Sequence, residues 1–505
     1  MRKKHILLLN LVIAVFFAII FYGNYIGINL FLFELVTVPL MLYINRPVKY
    51  NLLTVMLLGS VIITALMVIL INSSWSIFIN FICLFTLSTA LSYNGFRSFI
   101  HVFFEAIVRL ISSQVSIFNN WEEPKKENGS KINFDFRKFT FLILIPLVIL
   151  ILFIILYASA SSVFYQKFEG VFNVIFRFFE NINIIFILLV ILGLVIGNVL
   201  FMKTNSVGIY KNDITANNNL LRIRHKNTGS FKITGLKLQN LSGIVILGLL
   251  NILILFFNIL DISHFWFGFE WDGSFLREFV HEGTWVLVFS IFLSAAIALY
   301  FFKGNLNFYS KNNTLKYLTI LWIIQNFIMT ISVIIRNYWY INFFGLAYKR
   351  IAVLFFLLLT LIGLVTIIIK ITHKKSSFFL WKTNSFALLL VLVVTTCINW
   401  DLHIAKFNFN NYNRSFLDYR FLAKLNNSSL PYTLKSLEEL EEINKVQENI
   451  MPFDVNQGNL WDIYRYHAEI EAKKDRFLKR FSPNNFMEWN YADYSAYKKL
   501  TESIE

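Results

Sequence analysis

About eleven long apolar runs separated by short polar stretches dominate this chain. Each run is near the length that crosses a hydrocarbon core, although the second and the last are short. Barrel strands would alternate apolar and polar residues, and these runs do not. Because a backbone in lipid must satisfy its own hydrogen bonds, we expect helices. The pattern predicts an all-α, polytopic transmembrane bundle with spans at about 6–22, 30–45, 52–71, 77–95, 139–160, 184–202, 240–260, 284–302, 317–335, 351–371 and 385–399.

The first of these runs follows the basic segment Met1–His5, as in a signal peptide. No small-x-small cleavage site follows it, so we expect a first span that is retained. Two other stretches, 96–118 and 164–179, repeat apolar residues at helical spacing with polar residues between them. This pattern is typical of helices that lie in the interface, with the aromatic face toward the lipid.

The basic residues predict the orientation of the bundle. With the N-terminus inside, the inner segments collect about 26 Lys and Arg, and the outer segments before the tail collect about six. The N-terminus is therefore expected in the cytoplasm, and an odd number of spans puts the C-terminus outside. The net charge of +16 arises wholly before Trp400, since the tail has about 14 basic and about 16 acidic residues. We therefore expect no nucleic-acid partner.

The composition changes sharply after the last apolar run. The whole chain is 57% hydrophobic, whereas residues 400–505 are charged and polar and long enough for a small domain. Leu434, Leu437, Leu440, Ile443, Val446 and Ile450 repeat at helical spacing. Residues 461–481 form a second amphipathic pattern that ends at Ser482-Pro483. The predicted domains are a transmembrane helical domain, 1–399, and a small helical extracytoplasmic domain, 400–505.

The outer loop at 261–283 contains five carboxylates and two histidines. If its end is helical, Glu278, His281 and Glu282 share one face, where they could hold a metal or relay a proton. A single Glu-x-x-His pattern without a second copy does not indicate a di-iron site, so we expect no metal and no cofactor. A structural or interfacial role for these acidic residues is the competing interpretation.

The next outer loop, 336–350, carries Arg336, Lys349 and Arg350 against the charge rule. We expect Arg336 or Arg350 to pair with Glu278, Glu282 or Asp272, because unpaired charge near lipid is costly. Alternatively, Arg350 extends to lipid headgroups. The candidate ligand-binding residues are Asp272, Glu278, His281, Glu282, Arg336 and Arg350, and we expect a ligand at the outer surface rather than at mid-span.

Few polar groups interrupt the spans. Gln325 and Asn326 are expected to hydrogen-bond a neighbouring helix, and Glu34 lies near enough to the outer end of its span to reach water. The two cysteines, Cys83 and Cys397, lie in apolar runs without a Cys-x-x-Cys partner, which predicts buried small hydrophobic residues rather than a disulfide.

Several segments resemble an uncharacterised bacterial membrane family, the domain of unknown function 4153/4173. They are Leu276–Trp285, Ile335–Ile341, Phe344–Ile351 and Asn413–Leu425 followed by Leu430-Pro431. The resemblance covers about residues 240–435. Ala347 departs from it, because a hydroxyl residue is expected in the pattern Gly-Leu-x-x-x-Arg. The resemblance implies a multi-pass protein of the bacterial cytoplasmic (inner) membrane and implies no activity.

Three functions remain open from the sequence. An outward-facing binding, sensing or scaffolding protein, with membrane lipids and an extracytoplasmic ligand or protein as partners, is our first hypothesis. A transporter or channel for a small solute would need a polar path that the few mid-span polar residues do not supply. A membrane enzyme acting on a lipid-linked substrate at the outer face is the third hypothesis.

Overall fold

The computed structural model describes residues 3–48, 50–120, 145–161, 163–164, 166, 183–204, 208–222, 231–267, 275–448, 450 and 462–502. These residues are mainly helical, and no named strand occurs among them. The helices that precede the tail are α1 (Lys3–Phe21), α2 (Ile28–Ile44), α3 (Leu52–Leu70), α4 (Ser74–Tyr93), α5 (Phe99–Asn120), α6 (Ile145–Ala160), α7 (Ile184–Phe201), α8 (Gly208–Thr215), α9 (Phe231–Phe265), α10 (Phe275–Phe301), α11 (Asn313–Phe344), α12 (Tyr348–Thr372) and α13 (Ser377–Thr396). The fold is an all-α polytopic helical bundle, as the sequence predicts.

The apolar helices pack as two groups. Side chains from α1–α5 and α7 share one core, and side chains from α9–α12 share another. Helix α13 joins the groups, since it packs on α12 and also on α3, α4 and α5. In the first group, α1 and α7 approach closely at Gly193, where an added Cβ would lie 2.8 Å from Ala14 Cα. Gly193 and Gly197 are four residues apart, a spacing that lets membrane helices pack backbone to backbone.

Amide side chains cross-link α9 and α11 in the second group. Gln325 Nε2 donates a hydrogen bond to Asn251 Oδ1 at 2.7 Å, and Asn258 Nδ2 donates to the Gln325 carbonyl at 3.1 Å. The expected helix-packing role of Gln325 is confirmed. Because a polar group buried in lipid needs a partner, these bonds hold the two helices in one register.

Buried cations bind the C-terminal ends of three helices. Arg109 Nη2 donates to the Met202 carbonyl at the end of α7, Lys370 Nζ to the Phe302 carbonyl after α10, and Arg350 Nη1 to the Phe344 carbonyl at the end of α11, each at 2.7 Å. The last carbonyls of a helix lack intrahelical donors and carry partial negative charge. These cations therefore complete helices that end inside the protein.

The tail contains α14 (Trp400–Asn410), α15 (Tyr419–Ala423), α16 (Leu430–Thr433), α17 (Leu437–Gln447), α18 (Ile463–Arg480) and α19 (Tyr491–Glu502). These helices share a core that includes Leu422, Leu440, Tyr466 and Phe477. Helices α17 and α18 lie within the two amphipathic patterns of the sequence. The boundary of a separate domain at residue 400 stays a prediction.

One end of the bundle, the tail end, is covered by these tail helices. The amide N–H of Ile28 donates to the Trp489 carbonyl at 3.1 Å, and that of Phe416 to the Phe343 carbonyl at 2.7 Å. Asn426 also bonds the Asn72 carbonyl at 3.4 Å. The tail therefore contacts loops of both helix groups. At the opposite end, residues 217–220 bond residues 374–376.

Eight of the described helices are long and apolar enough to cross a membrane: Leu52–Leu70, Ser74–Tyr93, Phe99–Ser116, Ile184–Phe201, Gly235–Phe265, Asn313–Phe344, Tyr348–Thr372 and Ser377–Thr396. His5–Phe21, Ile28–Ile44 and Trp285–Phe301 are shorter apolar helices. The set includes 99–116, which the sequence pattern assigns to the interface. Arg109, in the first half of α5, bonds the end of α7. This half of α5 therefore lies near the end of the bundle opposite to the tail end. The number and orientation of the spans stay predictions.

Two expectations about single residues are wrong. Glu34 does not reach water, because it is 4% exposed in the core between α2, α3 and α4. Cys397 is exposed at the end of α13, where the helix stops at the tail end, whereas Cys83 is buried as expected. Most of the predicted interfacial stripe at 164–179 lies outside the described residues.

Candidate functional site

A groove of about 880 Å³ lies between α4, α12 and α13 at the tail end. Its walls are mainly apolar and aromatic side chains, and its rim beneath the tail is polar. The residues that line it are Ser73, Ser74, Trp75, Phe78, Tyr348, Ile351, Ala352, Phe355, Phe356, Leu359, Leu388, Val391, Leu392, Thr395, Trp400, Asp401, Lys424 and Asn426. A large, mainly apolar pocket with a few polar groups at one end is typical of a small-molecule site.

Local sequence explains why the groove stays open. Ser73 caps α4 by accepting a hydrogen bond from the Ser76 N–H at 3.0 Å. Trp75 Nε1 donates to Thr395 Oγ1 at 3.0 Å, which joins the start of α4 to the end of α13. The small side chain of Ala352 leaves space that a larger residue on α12 would fill. A space that side chains line but do not fill therefore remains between α4 and α12.

The groove is continuous with the lipid-facing surface. Trp75, Phe78 and Phe356 line it and are 41%, 55% and 36% exposed, respectively. Large aromatic side chains that are partly exposed on a membrane-facing surface contact acyl chains. An apolar molecule could therefore enter from the side, between α4 and α12, without crossing water.

The polar rim is organised around Asp401, which is 8% exposed in the first turn of α14. Its Oδ1 accepts hydrogen bonds from the Tyr348 hydroxyl at 2.5 Å and from the Asn426 N–H at 2.7 Å. A carboxylate at a helix N-terminus is stabilised by the helix dipole. Asp401 thereby ties the start of α12 to the segment after α15, and exposed Lys424, two residues before Asn426, lines the same groove.

A second space, the basic cavity of about 500 Å³, adjoins the groove through Lys424, which lines both. The basic cavity is also lined by Ala423, Asn427, Glu469, Lys473, Arg476, Phe477 and Arg480. Glu469, Lys473, Arg476 and Arg480 follow one another at helical spacing on α18, so they form one stripe. The four cations and one carboxylate leave an excess of positive charge in the lining of this cavity.

Each cation of this stripe has a hydrogen-bond, ion-pair or ring contact with a neighbouring group. Lys473 Nζ donates to the carbonyl oxygens of Ala423, at 3.1 Å, and of Leu425, at the end of α15. Burial lowers the pKa of Lys473 to about 8, with Asp401 opposing the shift and Arg476 adding to it. Arg476 Nη2 lies 2.9 Å from Glu469 Oε1, and the Arg480 guanidinium stacks 4.0 Å above the Tyr25 ring after α1. The stripe therefore lies beside the loop between α1 and α2.

The structure reaches only part of the predicted ligand site. Asp272 and the side chains of Glu278, His281 and Glu282 lie outside the described residues, so that constellation stays a prediction. The backbone of α10 is helical from Phe275 onward. This segment is therefore helical, as the predicted shared face of the three residues requires. Among the side chains that the structure describes, no group of three or more His, Cys, Asp or Glu could hold a metal ion.

Both predicted arginines have described partners. Arg336 pairs with Asp261, the first carboxylate of the predicted acidic loop and not one of the three named as partners. Arg350 stacks 4.5 Å from the Tyr340 ring and bonds the end of α11, rather than extending to headgroups. The polar rim was not among the predicted site residues. A signal existed in Trp400-Asp401, a carboxylate immediately after the last apolar run.

The fold and the groove define a class, a multi-pass membrane protein with an apolar groove under a helical tail. The chain belongs to the family described as "Domain of unknown function (DUF4153)", whose model matches residues 58–436. The match confirms the resemblance of the sequence motifs and extends it toward the N-terminus from about 240 to 58. No curated protein and no solved structure matches the chain.

Proposed function

We propose that this protein is an outward-facing binding protein that takes an amphipathic, lipid-like ligand into the groove. The observation that carries the proposal is the combination of an apolar space of about 880 Å³ with a polar rim at one end. An acyl or prenyl chain fits the apolar walls, and a polar head fits the rim of Asp401, Lys424 and Asn426. Burial of apolar surface supplies the attraction for the chain, and the polar groups supply orientation.

The site also favours binding over passage across the membrane. The described mid-span amides on α9 and α11 bond to each other and to backbone, so they cross-link helices. A solute path would need polar groups that face a shared aqueous space. The groove instead lies at the tail end, beside the lipid, where a binding protein can exchange ligand laterally.

We further propose the orientation and the location. The N-terminus lies in the cytoplasm and the tail end faces outward, in a bacterial cytoplasmic membrane. The support is the distribution of about 26 basic residues in one set of loops against about six in the other before the tail. The described contacts agree with two such sets, since residues 22–29 and 345–347 contact the tail, whereas 217–220 contact 374–376.

Native mass spectrometry of the purified protein tests ligand binding. Ala352→Trp should fill the groove from α12 and lower lipid retention about tenfold relative to the unmodified protein, because the ligand loses its apolar contacts. Leu358→Trp is the matched control, since Leu358 is exposed on the same helix and does not line the groove. Equal lipid retention in both variants at equal thermal stability would overturn the proposal.

Reporter fusions at Glu505 test the orientation. Alkaline phosphatase is active only outside the cytoplasm, so this fusion should be active, and a reporter that fluoresces only in the cytoplasm should be dark. Bright fluorescence without phosphatase activity would place the tail inside and contradict an outward-facing site.

A further inference from the structure

We propose that the basic cavity binds a phosphate group, and specifically that it holds the anionic head of the ligand whose apolar part occupies the groove. The proposal rests on the proposed function and adds the chemical class of the ligand, a lipid with an anionic phosphate headgroup. The observation that supports the proposal is that Lys424 lines both spaces, the groove on one side and the basic cavity on the other.

The first argument is charge. Four cations and one carboxylate line the basic cavity, and that carboxylate, Glu469, pairs with Arg476 and faces Lys473. Lys424, Lys473, Arg476 and Arg480 repel one another around one space. Asp401 beside Lys473 and Asp493 beside Arg480 offset part of that repulsion, and an anion that enters the cavity would offset the rest. Phosphate matches these donors, because guanidinium groups bind its oxygens in pairs and ammonium groups bind them as point charges.

The second argument is preorganisation. Two backbone carbonyls position the Lys473 ammonium, and the Tyr25 ring positions the Arg480 guanidinium at 4.0 Å, whereas Arg476 forms a solvent-exposed pair with Glu469. Each of these side chains retains N–H donors that its described partners do not use. A site whose donors are already oriented loses less side-chain entropy when an anion binds.

The third argument is position. Tyr25 follows α1 at the tail end, so Arg480 lies where the apolar helix gives way to polar chain. That level corresponds to lipid headgroups, while the groove beside α12 corresponds to acyl chains. The apolar face of α18, with Tyr466, Ile470 and Phe477, is buried in the tail core, so the basic stripe is held toward the cavity rather than free to rotate.

The experiment uses the full chain in nanodiscs that contain equal amounts of phosphatidylglycerol, an anionic phospholipid, and zwitterionic phosphatidylcholine. Native mass spectrometry reports which lipid stays bound. The unmodified protein should retain phosphatidylglycerol preferentially, and Arg476→Glu with Lys424→Glu should reduce that preference roughly tenfold. Lys479→Glu is the matched control, an exposed cation on the same helix that does not line the cavity.

A separate arm identifies the source of the phosphate. Inorganic phosphate is titrated into detergent-solubilised protein by calorimetry. Binding of phosphate that Arg476→Glu abolishes, without preference for phosphatidylglycerol in nanodiscs, supports a soluble phosphate and overturns the headgroup assignment. Equal loss in Lys479→Glu and Arg476→Glu shows diffuse charge and overturns the cavity.

The result is separable from that of the proposed function. If Ala352→Trp lowers retention of both lipids while Arg476→Glu leaves the preference unchanged, the groove binds lipid and the basic cavity does not select its head. If Arg476→Glu abolishes the preference while Ala352→Trp has no effect on retention, the phosphate site stands and the groove assignment fails.

Discussion

The Arg336 guanidinium of α11 pairs with the Asp261 carboxylate of α9, and both side chains are at most 5% exposed. The same guanidinium lies 4.1 Å from the centre of the Phe265 ring. The ion pair and the ring contact together join the tail-end halves of α9 and α11, the two longest helices of the second group. Because removal of one partner leaves a buried charge uncompensated, this pair is a sensitive point for stability.

Asp261→Asn should lower the free energy of unfolding by about 3 kcal/mol, and Arg336→Met by a similar amount. The double variant should lose less than the sum, since no single charge is then left without its partner. Thermal unfolding of the purified protein in detergent measures all three. Lys349→Met, which changes an exposed cation at the same end, is the control and should shift stability by less than about 0.5 kcal/mol. Strict additivity of the two substitutions would contradict the pairing.

The contact between the start of α2 and residues 487–489 leads to a second prediction. An added Cβ at Gly27 would lie 2.8 Å from the Trp489 carbonyl oxygen and nearer still to Glu488, so Gly27→Ala should displace this segment. The amides of Ile28 and Asn29, which donate to Trp489 and Met487, should then exchange hydrogen faster by about tenfold or more.

Hydrogen exchange read by mass spectrometry measures this effect. Gly59→Ala in α3 is the control, because a Cβ there meets nothing within 4 Å, and its exchange pattern should match that of the unmodified protein. Unchanged protection of Ile28 and Asn29 in Gly27→Ala would mean that the tail does not hold the start of α2.

Lys473 gives the protein a pH dependence in the mildly alkaline range. The groups that face it are Asp401 from α14, Glu469 and Arg476 from α18, and Lys424 across the basic cavity. Its pKa is about 8 in the folded protein, below the ordinary 10.5. Between these values the unfolded chain holds a proton that the folded protein releases, so this group raises the stability as pH rises from about 8 to about 10.5. The charge of the basic cavity falls over the first part of that window.

Retention of phosphatidylglycerol should therefore decrease between pH 7 and pH 9, although this lysine makes the fold more stable there. Lys473→Arg keeps its charge over this range and should retain the lipid equally at both pH values. The opposite directions of binding and stability separate the loss of the cation from unfolding. A pH-independent preference in the unmodified protein would exclude a role for the Lys473 charge.

The helices were predictable because hydropathy is a local property of the chain. The lengths of α9 and α11 were not, since each helix continues beyond the apolar run through polar residues that find tertiary partners, such as Arg336. The partner of Arg350 was not predictable either. A cation on a predicted outer loop breaks the charge rule in the sequence, but only the folded chain brings Arg350 to the Phe344 carbonyl.

The polar rim of the groove shows why the candidate site was harder to predict. Tyr348, Asp401 and Asn426 come from segments that are each more than twenty residues apart, and they meet only when the tail covers α12. A local cluster such as Glu278, His281 and Glu282 can be recognised in a sequence because its members are neighbours in the chain. Single residues that are far apart in the chain and meet only in the fold form no such pattern.

Ala347, where the family pattern suggests a hydroxyl residue, is the N-cap of α12. Its φ of −148° and ψ of 158° are extended, and no side chain caps the helix there. A hydroxyl at an N-cap accepts a hydrogen bond from an N–H of the first turn, and a methyl group cannot. Ala347→Thr should therefore raise the free energy of unfolding by about 1 kcal/mol. Ala347→Val is the control, since valine has the shape of threonine without the oxygen. Thermal unfolding in detergent should rank Thr above both Ala and Val; a gain of equal size in Val would show that added bulk, and not capping, stabilises the start of α12.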